Sequence, residues 1–275
     1  GMGLWEEAAA RAWLWMLRLG GWLWPIQAQH RWTDTGASIL LRLPPGVPQV
    51  SLRLLQITDA HISEGPLARW ERPHAERMHR AFQGAPCLGN GTIVSPKAAF
   101  RDLVDLAAAA EADLIAVSGD VVNFPQAETV AWVAQALNRS RRPGGAAVPF
   151  VYTAGNHDWF YEGSSASQLE LQRAWRQTAL HPLYALSASW SADGSAGGGA
   201  AARSYDFGAA EAGGMLVLTV DNSRHQVSWE QLWFLRAQLL RWMPTMLVLH
   251  VPLSVADELR PFRGYARCGD PAWGE

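Results

Sequence analysis

The stretch Val148–Asp158, VPFVYTAGNHD, determines how the rest of this sequence is interpreted. The run Val148–Thr153 is typical of a short buried β-strand, and the tetrapeptide Gly155–Asp158, GNHD, lies just beyond it. Asparagine, histidine and aspartate supply the oxygen and nitrogen atoms that bind Mn, Fe, Zn or Mg in proteins. Because GNHD rarely occurs by chance in a chain of 275 residues, we predict a metal site at the end of this strand.

Three other apolar runs along the chain also end in candidate metal ligands. Residues two apart in extended chain point to the same side, so Asp59 and His61 can reach one cation. Gly119 allows a sharp turn before the next candidate, Asp120. With the first run included, the four runs and their candidate ligands are Val50–Thr58 with Asp59 and His61, Asp113–Ser118 with Asp120, Val148–Thr153 with Asn156, and Met246–Leu249 with His250.

Segments with a helical pattern separate these runs, which predicts an α/β fold. Pro96–Ala112 and Gln126–Asn138 repeat apolar residues at helical spacing, and Ser228–Trp242 begins with a serine suited to cap a helix. Alternating strands and helices form sheets covered by helices, and ligands bind beyond the carboxyl ends of the strands. Further strands are predicted at Ser38–Leu43, Ser204–Phe207 and Met215–Asp221.

Taken in order, these motifs resemble the sequence blocks of the calcineurin-like metallophosphoesterases. ITDAH at 57–61 resembles their D-x-H block, SGDVVN at 118–123 their G-D block, AGNHD at 154–158 their G-N-H-[DE] block and LHVPL at 249–253 their isolated histidine. The resemblance extends from about Val50 to Leu253. It implies a four-layer sandwich in which helices flank two mixed β-sheets.

The resemblance also implies a dinuclear metal site and a reaction. Two ions, of Mn, Fe, Zn or Mg, would activate a water that attacks a phosphate monoester or diester in line. His157 would act beside the leaving group, and Asp158 would either orient His157 or cap a helix. The implied metal ligands are Asp59 and His61 for the first ion, Asn156 and His250 for the second, and Asp120 as the bridge between them.

Two departures from the family pattern bear on these expectations. The sequence after His250 lacks the G-H-x-H block that completes both metal sites, so we expect a fragment whose domain lacks its C-terminal part. The alternatives are a non-catalytic or degenerate module that binds membrane surfaces or proteins, and a hydrolase that uses one metal. Asn123 stands where purple acid phosphatases carry tyrosine, which argues against an iron–tyrosinate centre.

The N-terminal segment is predicted to differ from the rest, giving a Trp-rich amphipathic region at 1–30 and the phosphoesterase domain at 31–275. Leu4–Ile26 carries five tryptophans, but Arg11 and Arg18 interrupt it, so it is not a clean transmembrane run. It fits an interfacial helix that associates with membrane surfaces, a signal or anchor segment, or a helix packed on the domain. Cytoplasmic, membrane-associated and secreted locations therefore all stay open. The net charge of −2 gives no signal for nucleic-acid binding.

Overall fold

The computed structural model describes residues 27–33, 36–42, 51–63, 94–159, 174, 178–188, 202–207, 214–224, 227–241 and 243–251. The chain divides into two compact units, Gly1–Val50 with Ala210–Gly213, and Ser51–Ala209 with Gly214–Glu275. In the first unit, β1 (Gln27–Thr33) and β2 (Gly36–Arg42) form an antiparallel hairpin. The predicted amphipathic segment Leu4–Ile26 lies outside the described residues, so its interpretations and the domain boundary at residue 30 stay predictions.

The described residues of the second unit form two three-stranded sheets and four helices. The first sheet has the strand order β3-β4-β5 and is parallel, whereas the second, β6-β7-β8, is mixed because β6 is antiparallel to β7. This arrangement confirms the predicted α/β class and the metallophosphoesterase-like fold. The strands are β3 (Leu54–Ile57), β4 (Leu114–Val117), β5 (Phe150–Tyr152), β6 (Ala202–Phe207), β7 (Met215–Val220) and β8 (Thr245–Val248), and the helices are α1 (Pro96–Ala109), α2 (Ala127–Arg139), α3 (His181–Leu186) and α4 (Trp229–Leu239).

Helices α1, α2 and α3 cover one face of the first sheet. Helix α1 begins where the Ser95 side chain accepts a hydrogen bond from the Ala98 amide, and Pro96 follows the cap because its missing N–H costs nothing there. Helix α1 buries Phe100 and Val104 against this face. Burial of each large apolar side chain of this kind contributes about 1.5–3 kcal/mol, so helix packing stabilises the sheet.

Strand β4 is the central strand of the first sheet and is apolar on both faces. Ile115 and Val117 belong to the core under the helices, whereas Leu114 and Ala116 belong to a second core with Val217 and other residues of the second sheet. Helix α4 packs against β6 of the second sheet. Among the described residues, none of the helices has the length and apolar character needed to cross a bilayer.

Candidate metal centre

The candidate ligands lie in four loops that follow β3, β4, β5 and β8. Strands β3, β4 and β5 are parallel, so the loops after them meet at one edge of the sheet. Backbone hydrogen bonds join the first two loops, from the Asp59 amide to the Gly119 carbonyl at 3.1 Å and from the His61 amide to the Asp120 carbonyl at 2.9 Å. The edge predicted from the sequence therefore brings these loops into direct contact.

The backbone of three candidate ligands has an unusual conformation. Asp59, His61 and Asp120 have φ angles of 54°, 45° and 50°, in the left-handed region that residues with a Cβ atom rarely adopt. Glu111 is the one other non-glycine residue with positive φ in the described part of the chain. Because such backbone costs free energy, it persists where surrounding structure enforces it, and it concentrates at functional sites.

Asp120 lies at the centre of the cluster and is almost completely buried. Its Oδ2 atom is 3.3 Å from His250 Nε2 and 3.8 Å from His61 Nε2, and its Oδ1 atom accepts a hydrogen bond of 2.7 Å from the His157 amide. Two groups of side chains each offer ligand atoms within 4.8 Å of one another, and Asp120 belongs to both. The groups are Asp59, Asp120 and His250, and His61, Asp120 and His157.

Two glycines allow the loops after β4 and β5 to approach this closely. A Cβ atom on Gly119 would lie 2.6 Å from His250 Nδ1 and 2.7 Å from the backbone nitrogen of Gly155. A Cβ atom on Gly155 would overlap the carboxylate of Asp120. Gly119 also has a φ of +97°, which favours glycine. The glycines of the two motifs thus keep Asp120 and His250 within reach of each other.

His250 is held so that one ring nitrogen faces the other candidate ligands. Its Nδ1 atom lies 2.9 Å from the Ser118 carbonyl, which can only accept, so Nδ1 carries a hydrogen and donates it. Its Nε2 atom faces Asp120 and lies 3.2 Å from Asn156 Oδ1. Fixing one ring nitrogen by hydrogen bonding leaves the other oriented for metal binding. Burial would lower the pKa of His250, but the nearby Asp120 carboxylate raises it to about 9.

His157 lies beside His61 at the half-buried side of the cluster. The ring centroids are 4.6 Å apart and the rings are nearly perpendicular. Burial lowers the pKa of His157, although the charge of Asp120 opposes this effect. The buried Nδ1 atom of His157 has no hydrogen-bond partner among the described residues. The lowered pKa favours the neutral form of His157.

Asp158 is completely buried and joins two loops. Its carboxylate accepts hydrogen bonds from the amides of Val122, at 3.0 Å, and Gly155, at 2.8 Å. Burial and the charge of Asp120 raise the pKa of Asp158 to about 7, against the effect of the backbone hydrogen bonds. Asp158 also interacts electrostatically with the Tyr152 side chain, and none of its described hydrogen bonds is with the ring of His157. Its predicted part in the chemistry therefore stays a prediction.

One residue near the cluster has no counterpart in the motifs from which the site was predicted. Asn222 follows β7 directly, and its side chain forms hydrogen bonds with the backbone of His250 and Val251. The sheet topology is the feature that could have indicated this contact. Because β7 and β8 are parallel neighbours, the residues that follow them must lie side by side at one edge of the second sheet.

Comparison with known proteins gives one family match and a solved structure of low similarity. The model of the calcineurin-like phosphoesterase family matches residues 52–264. The chain belongs to this family. Among solved structures it is similar to a dimetal phosphatase from Danio rerio, with 13% sequence identity over 67% of this chain and 50% of that chain, and a TM-score of 0.35. The chain thus spans about half the length of that phosphatase. No curated protein matches the sequence.

The donor atoms of this phosphoesterase-family site suit the divalent metals that the family implies. Carboxylate oxygens of Asp59 and Asp120, the amide oxygen of Asn156 and imidazole nitrogens of His61 and His250 are ligands that Mn, Fe, Zn and Mg accept. Such a concentration of acceptor atoms in a largely buried place is costly without a cation to bind them. The residues present therefore fit metal ions.

Proposed function

We propose that this chain hydrolyses phosphate monoesters or diesters at two metal ions of Mn, Fe, Zn or Mg. The observation that carries the proposal is the position of Asp120, whose buried carboxylate belongs to two overlapping groups of ligand atoms. A carboxylate shared in this way can bridge two cations and set the distance between them. Family membership supports the reaction class, which is metal-dependent hydrolysis of phosphate esters.

In this proposal, the assignment of ligands to ions follows the family resemblance: Asp59 and His61 would hold the first ion, Asn156 and His250 the second, and Asp120 both. The two geometric groups instead pair Asp59 with His250 and His61 with His157. The pairing of Asp59 with His61 rests on the 3.8 Å distance between Asp59 Oδ1 and His61 Nε2. When bound, two such ions polarise a phosphoryl oxygen and lower the pKa of a water so that it becomes a nucleophile. The chain itself contributes the shape of the site. The left-handed backbone at Asp59, His61 and Asp120 and the short approach at Gly155 fix the ligand atoms before any ion arrives.

His157 is proposed to act on the substrate side of the cluster. In the metal-free chain, its lowered pKa means that it offers a neutral ring N–H to a phosphate oxygen. A bound phosphate dianion would raise this pKa, because negative charge nearby favours the imidazolium form. His157 could then donate a proton to the departing oxygen, which is general acid catalysis.

The first test is to measure metal binding and hydrolysis on the same preparation. The chain, stripped of metal by a chelator, is titrated with Mn²⁺ in a calorimeter and then assayed on nitrophenyl phosphate and bis-nitrophenyl phosphate. We expect two equivalents of bound Mn²⁺ and hydrolysis of at least one ester only after metal is added. Metal binding without hydrolysis of either ester would favour the alternative of a non-catalytic module. Absence of metal binding would contradict the proposed site.

Metal binding at the second ion should depend steeply on pH, because His250 must lose a proton to bind. The pKa of His250 is about 9, so below pH 9 the apparent affinity should rise about tenfold per pH unit as one proton is displaced. The stability of the metal-free chain changes with pH in the opposite direction. A pKa raised above 6.5 means that His250 stabilises the fold fully below pH 6.5 and loses this contribution as pH rises through 9.

This pH dependence can be measured by Mn²⁺ titration and thermal unfolding at a series of pH values between 6 and 10. The matched variant is His250→Asn, which keeps a polar side chain but has no proton to displace. We expect that this variant shows neither the steep dependence of the second binding step nor the loss of metal-free stability. An equally steep dependence in the variant would assign the displaced proton to another group.

A further inference from the structure

The segment Asp221–Ser223, which follows β7, is buried and connects several loops around the proposed metal centre. Its three side chains are polar, yet each has at most 7% of its surface exposed. Burying polar side chains costs free energy unless they are hydrogen-bonded, so their partners indicate what the segment does. None of these side chains belongs to the proposed set of metal ligands.

Asn222 holds the backbone of the His250 loop with three hydrogen bonds. Its Oδ1 atom accepts from the amides of His250, at 3.2 Å, and Val251, at 3.1 Å, and its Nδ2 atom donates to the Val251 carbonyl at 2.6 Å. One carboxamide therefore pairs with two backbone amides and one backbone carbonyl of this loop. The loop could not rotate about its backbone without breaking at least one of these bonds.

The next residue links the same segment to the first sheet. Ser223 Oγ accepts a hydrogen bond of 2.7 Å from the indole N–H of Trp159, which directly follows the GNHD motif. Ser223 Oγ in turn donates to Asp221 Oδ1 at 2.5 Å. The Asp221 carbonyl accepts from the Gln231 side chain, which also completes the capping box at the start of α4. Ser223 thus links the segment to the loop after β5, and Asp221 links it to the start of α4.

These contacts matter because the proposed ligands come from two different sheets. Asp59, His61, Asp120 and Asn156 follow strands of the first sheet, whereas His250 follows β8 of the second. The Nε2 atom of His250 nevertheless lies within 3.3 Å of ligand atoms from the first sheet. A small slide of one sheet over the other would move His250 away from the remaining ligands.

We propose that Asn222 is a positioning residue for His250, which fixes the second-sheet ligand against the first-sheet ligands through its hydrogen bonds and the Ser223–Trp159 contact. The inference rests on the proposed metal centre. According to this proposal, Asn222 affects the affinity for the second cation, because that cation needs His250. It does not affect the affinity for the first cation, which is held by Asp59 and His61. If Asn222 had a purely structural role, its replacement would weaken the whole fold and would lower the affinity for both ions alike.

The decisive variant is Asn222→Ala, and the matched control is Ser140→Ala. Ser140 is also buried and hydrogen-bonded, to the Val104 carbonyl, but lies away from the ligand loops. In a Mn²⁺ titration, Asn222→Ala should weaken the second binding step about 10–100-fold, as loss of an outer-shell partner does elsewhere, and leave the first step unchanged. Ser140→Ala should leave both steps unchanged. Equal weakening of both steps by Asn222→Ala would overturn the proposal.

A second readout needs neither metal nor activity. In the metal-free chain, the ring N–H of His250 that is bonded to the Ser118 carbonyl should give a protected proton signal in NMR spectra. That signal should be lost or broadened in Asn222→Ala and retained in Ser140→Ala. If the wild-type chain binds no metal, the proposed function fails, but this signal still decides whether Asn222 positions His250. A signal unchanged in Asn222→Ala would show that it does not.

Asn222→Asp provides the test if the alanine variant does not fold. The aspartate has the same shape and keeps the oxygen that accepts from His250 and Val251, but it cannot donate to the Val251 carbonyl. We expect a second Mn²⁺ step of intermediate affinity, between those of the wild type and an unsupported site. Because the added negative charge itself attracts a cation, the His250 ring N–H signal is the deciding measurement for this variant. An unchanged signal would contradict the role given to the carboxamide.

Discussion

Asp120→Asn should abolish binding of both metal ions and, with it, hydrolysis. The asparagine keeps an oxygen that can accept the hydrogen bond from the His157 amide, so the local backbone contact survives. It removes the negative charge that both groups of ligand atoms share. A lost outer-shell partner costs about 10–100-fold in metal affinity or activity, and a lost shared ligand should cost more than that at each ion.

The measurements for this variant are Mn²⁺ calorimetry and kcat/KM on an aryl phosphate, with Asp105→Asn as the control. Asp105 undergoes the same chemical change on the exposed side of α1 and should behave as wild type. The Asp120 variant should also bring the pKa of His250 down from about 9, because the carboxylate that raises it is gone. A variant that still binds two ions would show that Asp120 is not the bridge.

The sequence was sufficient to predict the parts of the fold that have strong local patterns. Strand β4 reads LIAV because it is buried between helices and a second sheet, and a continuous apolar run predicts such a strand well. The capping box at Ser228 and Gln231 forms as expected. Which apolar residues of a helix are buried is harder to predict. In α1, Leu103 and Leu106 fit the apolar repeat but are exposed, since three residues per two turns suffice to cover the sheet there.

Elements without a strong periodic signal were missed. Strand β1, QAQHRWT, is mostly polar, and it pairs with β2 through backbone hydrogen bonds that do not depend on apolar side chains. Helix α3 is six residues long, which is too short to show a repeat, and its place is set by burial of Leu183 and Tyr184 in the core. Both elements depend on pairing or packing partners that are distant in sequence.

The clustering of the candidate ligands could be predicted from the sequence, but the means by which they are held could not. Their binding of metal stays a prediction. Strand ends and polar residue types indicated which side chains gather, since parallel strands deliver them to one edge. The left-handed backbone at Asp59 and His61 and the support of His250 by Asn222 are tertiary effects. Asn222 and His250 are 28 residues apart, and only the parallel pairing of β7 and β8 brings them together.

His157→Ala should lower kcat by about 10²–10⁴-fold, the usual contribution of a general acid, while both metal ions remain bound. The separation of these two effects is informative, because His157 also lies within one group of candidate ligand atoms, with His61 and Asp120. Calorimetry with Mn²⁺ measures occupancy, and kcat is measured at saturating substrate. Loss of an ion in this variant would place His157 among the metal ligands instead.

The leaving group of the substrate distinguishes proton donation from phosphate binding. An alkoxide leaving group needs a proton as it departs, whereas nitrophenolate departs readily without one, so the loss in kcat should be much larger for alkyl than for nitrophenyl phosphates. In the wild type, kcat for the alkyl ester should fall as pH rises through the pKa of His157 in the substrate complex, because the proton that His157 donates is then lost. That fall should be absent in His157→Ala. Equal losses on both esters, with the pH dependence retained, would instead assign His157 to binding the phosphate.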